Sequence, residues 1–233
     1  GGGGGGGRID THYKCKINSL KVVSMKTKKL LVSSVVALVL SSSALVGEES
    51  GAFFGVGIGH GAGEREYVEN GAKDKAVGAG ASYEIIAGYK QFFTSDVGLR
   101  YYANFTYANF NDENPGKTTL MNYGVNVDAL FNFITSESAN FGAFVGVGVG
   151  SNTIDNKDFS DIQAAGINLK KTGLDVSLNL GLRSVVDTKH SLEAIVRVPL
   201  VAMTLFDGNV AGTQVKLTAS RNYNIGVRYI YSF

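Results

Sequence analysis

The chain has 233 residues, 44% hydrophobic and 18% charged, with 31 glycines, 2 prolines, no tryptophan and a formal charge of +2. That charge is uneven: residues 1–47 carry seven Lys/Arg and one acid, leaving 15 basic and 19 acidic groups over residues 48–233. The larger part is therefore mildly acidic, which argues against a nucleic-acid partner. Its lack of cysteine excludes disulfides, thiolate chemistry and cysteine metal sites there.

Residues 1–24 open on a GGGGGGG tract, hold Cys15 and precede Met25. They are read as an upstream or disordered segment outside the fold. From Met25 the chain reads MKTKKLLVSSVVALVLSSSALVGEES. Lys26, Lys28 and Lys29 form a basic start, Leu30 to Leu40 an apolar run, and small residues lead to a cut after Gly47 or after Ala44. Charge, apolar core and small residues in that order make a signal peptide over 25–47. The run is shorter than the ~20 apolar residues that a membrane-spanning helix needs. An exported domain over 48–233 is expected.

Eight stretches then alternate with period two, which sends apolar side chains to one face of a strand and polar ones to the other. The first sets Phe54, Val56 and Ile58 against Gly55, Gly57 and Gly59; the second sets Tyr83, Ile85 and Tyr89 against Glu84, Gly88 and Lys90. The third and fourth set Val97–Tyr107 odd positions against Arg100, Asn104 and Thr106, and Met121–Phe133 odd positions against Asn122, Asn126 and Asp128. The fifth sets Val145, Val147 and Val149 against Gly146, Gly148 and Gly150; the sixth sets Leu174–Leu182 even positions against Asp175, Asn179 and Arg183. The seventh sets Leu192, Ala194 and Val196 against Glu193 and Arg197, and the eighth, RNYNIGVRYIYSF, puts Tyr223, Ile225, Val227, Tyr229, Tyr231 and Phe233 on one face.

Connections alternate too. Short links (Phe92–Asp96, Ile134–Asn140, Val185–His190) are interleaved with longer polar ones (Gly61–Gly80, Asn109–Thr118, Ser151–Thr172, Met203–Thr218). That asymmetry predicts an all-β, eight-stranded antiparallel up-and-down transmembrane β-barrel, with short periplasmic turns and longer extracellular loops. A soluble β-sandwich also alternates. It does not explain why Glu84, Arg100, Asp128, Asp175, Arg183, Glu193, Arg197 and Arg228 all lie mid-strand on the polar face. Nor does it explain the rings of Tyr101, Phe105, Tyr107, Phe131, Phe133 and Phe141 on the apolar one, an aromatic girdle suited to headgroup level.

An eight-stranded barrel is just wide enough for side chains to fill. The polar set of Glu84, Lys90, Arg100, Asp128, Asp175, Arg183, Glu193, Arg197 and Arg228 must then pair within the lumen. The expected result is a plugging ionic network, with Glu84, Asp128 and Asp175 as candidate partners of Arg100; a gated ion path is the other reading. Glycines of the first and fifth segments leave room for long side chains or water.

Gly57–Ile58–Gly59–His60–Gly61–Ala62 meets a dinucleotide-binding variant, but only polar EREYVENGAKDK follows, without the helix that would cradle phosphate. His60, near Glu64 and Glu66, allows a base–carboxylate pair but has no visible nucleophile. No catalytic residue, metal site or cofactor is expected.

The stretch KKLLVSSVVALVLSSSALVGEESGAFFGVGIG and the terminal strand ending on Tyr229, Tyr231 and Phe233 resemble Helicobacter-type outer membrane proteins. The strand count also resembles small OmpA/OmpX-type and opacity-type barrels. The resemblance implies an outer-membrane location, outer-membrane lipid as surroundings, and Tyr229, Tyr231 and Phe233 as the signal that the barrel assembly machinery reads. It suggests an adhesin-like, surface-antigen, envelope-stabilising or porin-like role, with a host surface ligand for the loops in the first case.

Overall fold

Alternation of period two along eight stretches requires strands whose two faces meet different media. The computed structural model, which describes residues 48–112, 117–135, 139–156, 159, 168–210 and 212–233, places them in one closed antiparallel sheet. The strands are β1 (Gly51–Glu69), β2 (Ala72–Phe92), β3 (Val97–Asp112), β4 (Lys117–Thr135), β5 (Ala139–Asn156), β6 (Thr172–Val186), β7 (His190–Pro199), β8 (Met203–Val210) and β9 (Thr213–Ser232). Each pairs with the next as far as β7, and β9 pairs with both β7 and β1 to close the ring. The proposed signal peptide and upstream segment lie outside the described residues.

Nine strands make eight staves. The expected seventh stave is split: β7 pairs with the C-terminal half of β9, and β8 with its N-terminal half. Pro199 ends β7, and a proline has no N–H to continue a ladder.

Of the four links expected as long polar loops, two are almost wholly strand and the strands run into the ends of the other two. β1 and β2 run on through Gly61–Gly80 and meet at Asn70–Gly71, with φ of 48° and 82°. Two consecutive positive φ values in a two-residue Asn-Gly loop make a type I′ turn, whose twist matches the strands it joins. β8 and β9 likewise take up most of Met203–Thr218, and β3, β4 and β5 run into the other two links. Backbone ladders continue past the point where the apolar outer face stops.

Over most of the sheet, the apolar residues face out. Ile58, Val125, Val147, Leu182 and Ile225 are at least half exposed, while Arg100, Asp128, Asp175 and Glu193 are buried inside. The rings fall into two levels: Tyr83 opposite Tyr107 and Phe105 opposite Tyr123 at one, Tyr89 opposite Tyr101 and Phe131 opposite Val97 at the other. Phe133 and Phe141 meet edge-on at 5.7 Å in the second level. Near the same end, His190 bonds the Tyr229 hydroxyl at 2.7 Å and meets Tyr231 edge-on, which in turn meets Phe233 at 5.3 Å.

At the hairpin end the polarity reverses. Ala108, Phe110, Leu120, Ile154, Met203, Leu205 and Ala219 are buried inside together with Phe159 and Leu169. Outside them lie Lys75 with Glu64 and Glu66, Lys171 with Asp155, and Lys216 with Asp207.

Candidate functional site

The lumen is built from inward positions of every stave, and its polar groups form layers. At the turn end sits Glu48, a residue ahead of β1 whose carboxylate is fully buried. It accepts from Lys90 Nζ at 2.7 Å and from Arg183 Nη1 and Nη2 at 2.7 and 2.6 Å. Asn132 reaches it at 3.5 Å. Burial pushes the Glu48 carboxyl up, but the charges of Arg183 and then Lys90 outweigh this and hold it below the ordinary carboxylate range.

The next layer is centred on Arg100. Its Nη2 and Nε donate to Asp128 Oδ2 at 2.6 and 3.2 Å, and Nη1 donates to Glu193 Oε1 at 2.6 Å. Asp128 is its direct cross-strand neighbour on β4. Glu193 lies across the lumen on β7 and also approaches Arg183 Nε at 3.8 Å, joining the two layers. Aromatic faces of Phe144, Tyr102 and Phe53 lie 4.8, 5.1 and 5.7 Å from the guanidinium carbon, and such stacking favours a desolvated cation.

Above it, Arg228 donates to both oxygens of Glu84 at 2.6 and 3.0 Å. Arg197 donates to Ser177 at 2.9 Å and to Asp175 at 3.5 Å. Amides link these charges. Asn179 donates to Asn126, Asn126 to Asn104, and Asn104 to Asn122, while Asn122 and Asn152 both donate to Asp175. Chained bonds of this kind tie Arg197, Arg228 and their carboxylates to the amides around them.

All nine residues expected in the lumen are there, but two of the three candidate partners for Arg100 belong elsewhere. Glu84 is held by Arg228 and Asp175 by Arg197, because each arginine bonds the carboxylate nearest its own level. Glu193 takes the place they were assigned. Side chains occupy the room over the interior glycines: a Cβ on Gly57 would come within 3.1 Å of Arg228 Cγ, one on Gly148 would meet Asn126 and Arg197, and one on Gly146 would collide with Asp128.

Glu48 and Arg221 were not foreseen. Glu48 stands in no alternating pattern, though an acidic residue just ahead of the first strand was a usable signal. Arg221 follows a register shift and bonds Asn152 at 3.2 Å. His60 lies exposed on the outer side of β1, while Glu64 and Glu66 are engaged by Lys75 and Lys73. The six expected girdle rings all lie on the outer face, and Phe141 is the most covered of them.

A closed antiparallel sheet with hydrocarbon-matched outer face, two aromatic levels and an ionic interior is a transmembrane β-barrel of outer-membrane type. The chain belongs to the Helicobacter outer membrane protein family, whose family model matches residues 84–233. It is an outer-membrane β-barrel protein. No curated protein matches it in sequence. Similar solved structures include the outer membrane protein OprG from Pseudomonas aeruginosa, 15% identical over 82% of this chain and 100% of that one, with a TM-score of 0.47. Neisserial surface protein A is 17% identical over 78% and 99%, with a TM-score of 0.39. The attachment invasion locus protein Ail of Yersinia pestis is 14% identical over 78% and 99%, with a TM-score of 0.32.

Proposed function

We propose that this is a non-enzymatic barrel with a closed lumen, acting through the surface it displays at the hairpin end as an adhesin, surface antigen or envelope-stabilising protein. The observation that carries this reading is the continuity of the lumen contents. Ion pairs run from Glu48 through Arg183, Glu193 and Arg100 to Asp128, and amides continue from there towards the apolar cluster at the other mouth. Hydrated solute would have to displace buried pairs whose separation leaves uncompensated charge.

In this reading the turn end is periplasmic and the hairpins are extracellular, so a host surface ligand meets the charged outer faces of β1–β2 and β8–β9. Tyr229, Tyr231 and Phe233 serve as the motif read during assembly, after export by a cleaved signal peptide. Planar-bilayer recording of purified, folded protein is the test. No single-channel steps above the lipid baseline are expected. Reproducible ohmic steps would overturn the closed lumen and make the protein a porin for small solutes.

A further inference from the structure

The wall of the barrel is interrupted on both sides of one short segment. The β6–β7 register ends at Ser177 opposite Pro199, and the β7–β9 register ends at Arg197 opposite Asn224. Pairing with β9 resumes only at Met203 opposite Ala219. Toward β6, the backbone bond of Leu200 to Val176 at 2.7 Å and that of Lys170 to Leu205 at 2.8 Å bracket the gap. Between them, Thr172–Asp175 have no ladder partner on this side among the described residues. The Met203 side chain lies over Gly173 there, where an added Cβ would come within 2.5 Å of Met203 Cγ.

Behind this seam lies a cavity of about 50 Å³. Its lining joins apolar Phe110, Leu120, Val201 and Met203 to two arginines, Arg65 and Arg221, and to Glu64, which Lys75 holds; Arg221 stands opposite the interruption. Arg221 donates to the neutral Asn152 and has no ion pair among the described residues, whereas Arg197 and Arg228 occupy the nearby carboxylates Asp175 and Glu84. A guanidinium beside apolar walls is an anion site waiting for charge. Outside the seam, Leu174 and Leu200 are well exposed on the apolar face.

We propose that the seam between β6 and β8 is a lateral portal that admits a single-chain amphipathic anion, its carboxylate or phosphate head on Arg221 and its chain passing under Met203. The cavity holds the head and first carbons; the rest of the chain lies along Leu174 and Leu200. Methionine suits the gate because its unbranched thioether repacks readily. The site is independent of solute passage along the barrel axis.

The test uses the full barrel in nanodiscs with ¹³C-methyl methionine, titrated with decanoate and, separately, with decanol. Met121, on the outer side of β4, reports simple partitioning, and Met203 reports the site. Decanoate should shift the Met203 methyl saturably, decanol should not, and Arg221→Gln should weaken the saturable response by about tenfold or more, the loss expected for one charge-assisted contact. Arg221→Lys should retain binding, which covers the case where the glutamine variant fails to fold. Equal responses to decanoate and decanol, or an unchanged response in Arg221→Gln, would overturn the proposal. So would a Met203 signal that only tracks Met121.

Discussion

The same staves carry opposite polarity at their two ends. Along most of β4 the outward residues are Tyr123, Val125, Val127 and Phe131, and the inward ones are Asn122, Asn126 and Asp128. At the hairpin end the inward residues become Leu120, Phe110, Ile154 and Leu205, while Thr204 and Lys216 face out. Between β3 and β4 the backbone ladder runs through both regions without a shift. The medium outside does: hydrocarbon leaves the interior as the place for ions, whereas water restores the ordinary arrangement of an apolar interior. Two different forces thus hold one sheet closed.

The largest expected effect lies in the ionic region. Arg100→Ala should cost about 3–5 kcal/mol of unfolding stability in lipid, because it strips a buried pair of one partner. Glu193 would keep Arg183 at 3.8 Å, but Asp128 would be left with an amide, Asn179, at 3.3 Å. A second neutralisation, Asp128→Asn, should therefore restore more stability than Glu193→Gln does, read by urea unfolding in vesicles. Equal rescue by both would mean that the layers are not ordered as described.

In the apolar mouth, Leu205→Ala should cost about 2–5 kcal/mol, as for a fully buried aliphatic side chain. Leu180→Ala, whose side chain stands on the lipid-facing side of β6, leaves no cavity and should cost clearly less. If the two truncations weigh the same in an unfolding series, the mouth is not a packed core.

On the outer face, Val125→Arg should cost about 2–4 kcal/mol, the range for a cation at mid-bilayer. Thr204→Arg, on the outer side of β8 beyond the apolar band, should be nearly silent. A large loss for Thr204→Arg would extend the hydrocarbon band over the hairpin end and erase the contrast between the two regions.

The hydrocarbon region was legible in the sequence because hydrocarbon on one side enforces period two over long stretches. Arg100 and Asp128 fell on the inward face by parity alone. The hairpin end was not legible for the same reason in reverse. There the inward face is apolar, and β2 begins AKDKAVGAGA, too small and mixed to alternate. A register shift between Ala62 and Gly63 also flips parity along β9: Tyr223 and Ile225 face out, yet Val215 and Ala219, also odd-numbered, are buried inside. Counting by twos across that shift puts Arg221 on the wrong face. The Asn70–Gly71 turn was a readable signal that the polar link was a hairpin.

The smallest effect concerns the end of the ionic region where no strand supplies the acid. Glu48 precedes β1, so its attachment rests on side chains from β2, β4 and β6 rather than on a ladder. Its carboxyl is held below the ordinary range by Arg183 and Lys90 despite burial. A folded-state value below the unfolded one, about 4.3 for glutamate, contributes stability that is complete above the unfolded value. That stability is lost as pH falls through the folded one. Glu48→Gln removes this contribution at neutral pH but leaves every other lumen acid in place, so the difference between the two proteins isolates it. Arg183 retains Glu193, and Lys90 lies next to the rim, where water can reach it once Glu48 is gone. The loss should accordingly be smaller than for Arg100→Ala. In heat-unfolding titrations in detergent, the wild-type advantage over Glu48→Gln should stay constant from neutral pH down to about 5 and vanish in more acid solution, where a protonated Glu48 behaves as the amide does. An advantage that persists undiminished into strong acid would show that Glu48 closes the turn end by shape rather than by charge.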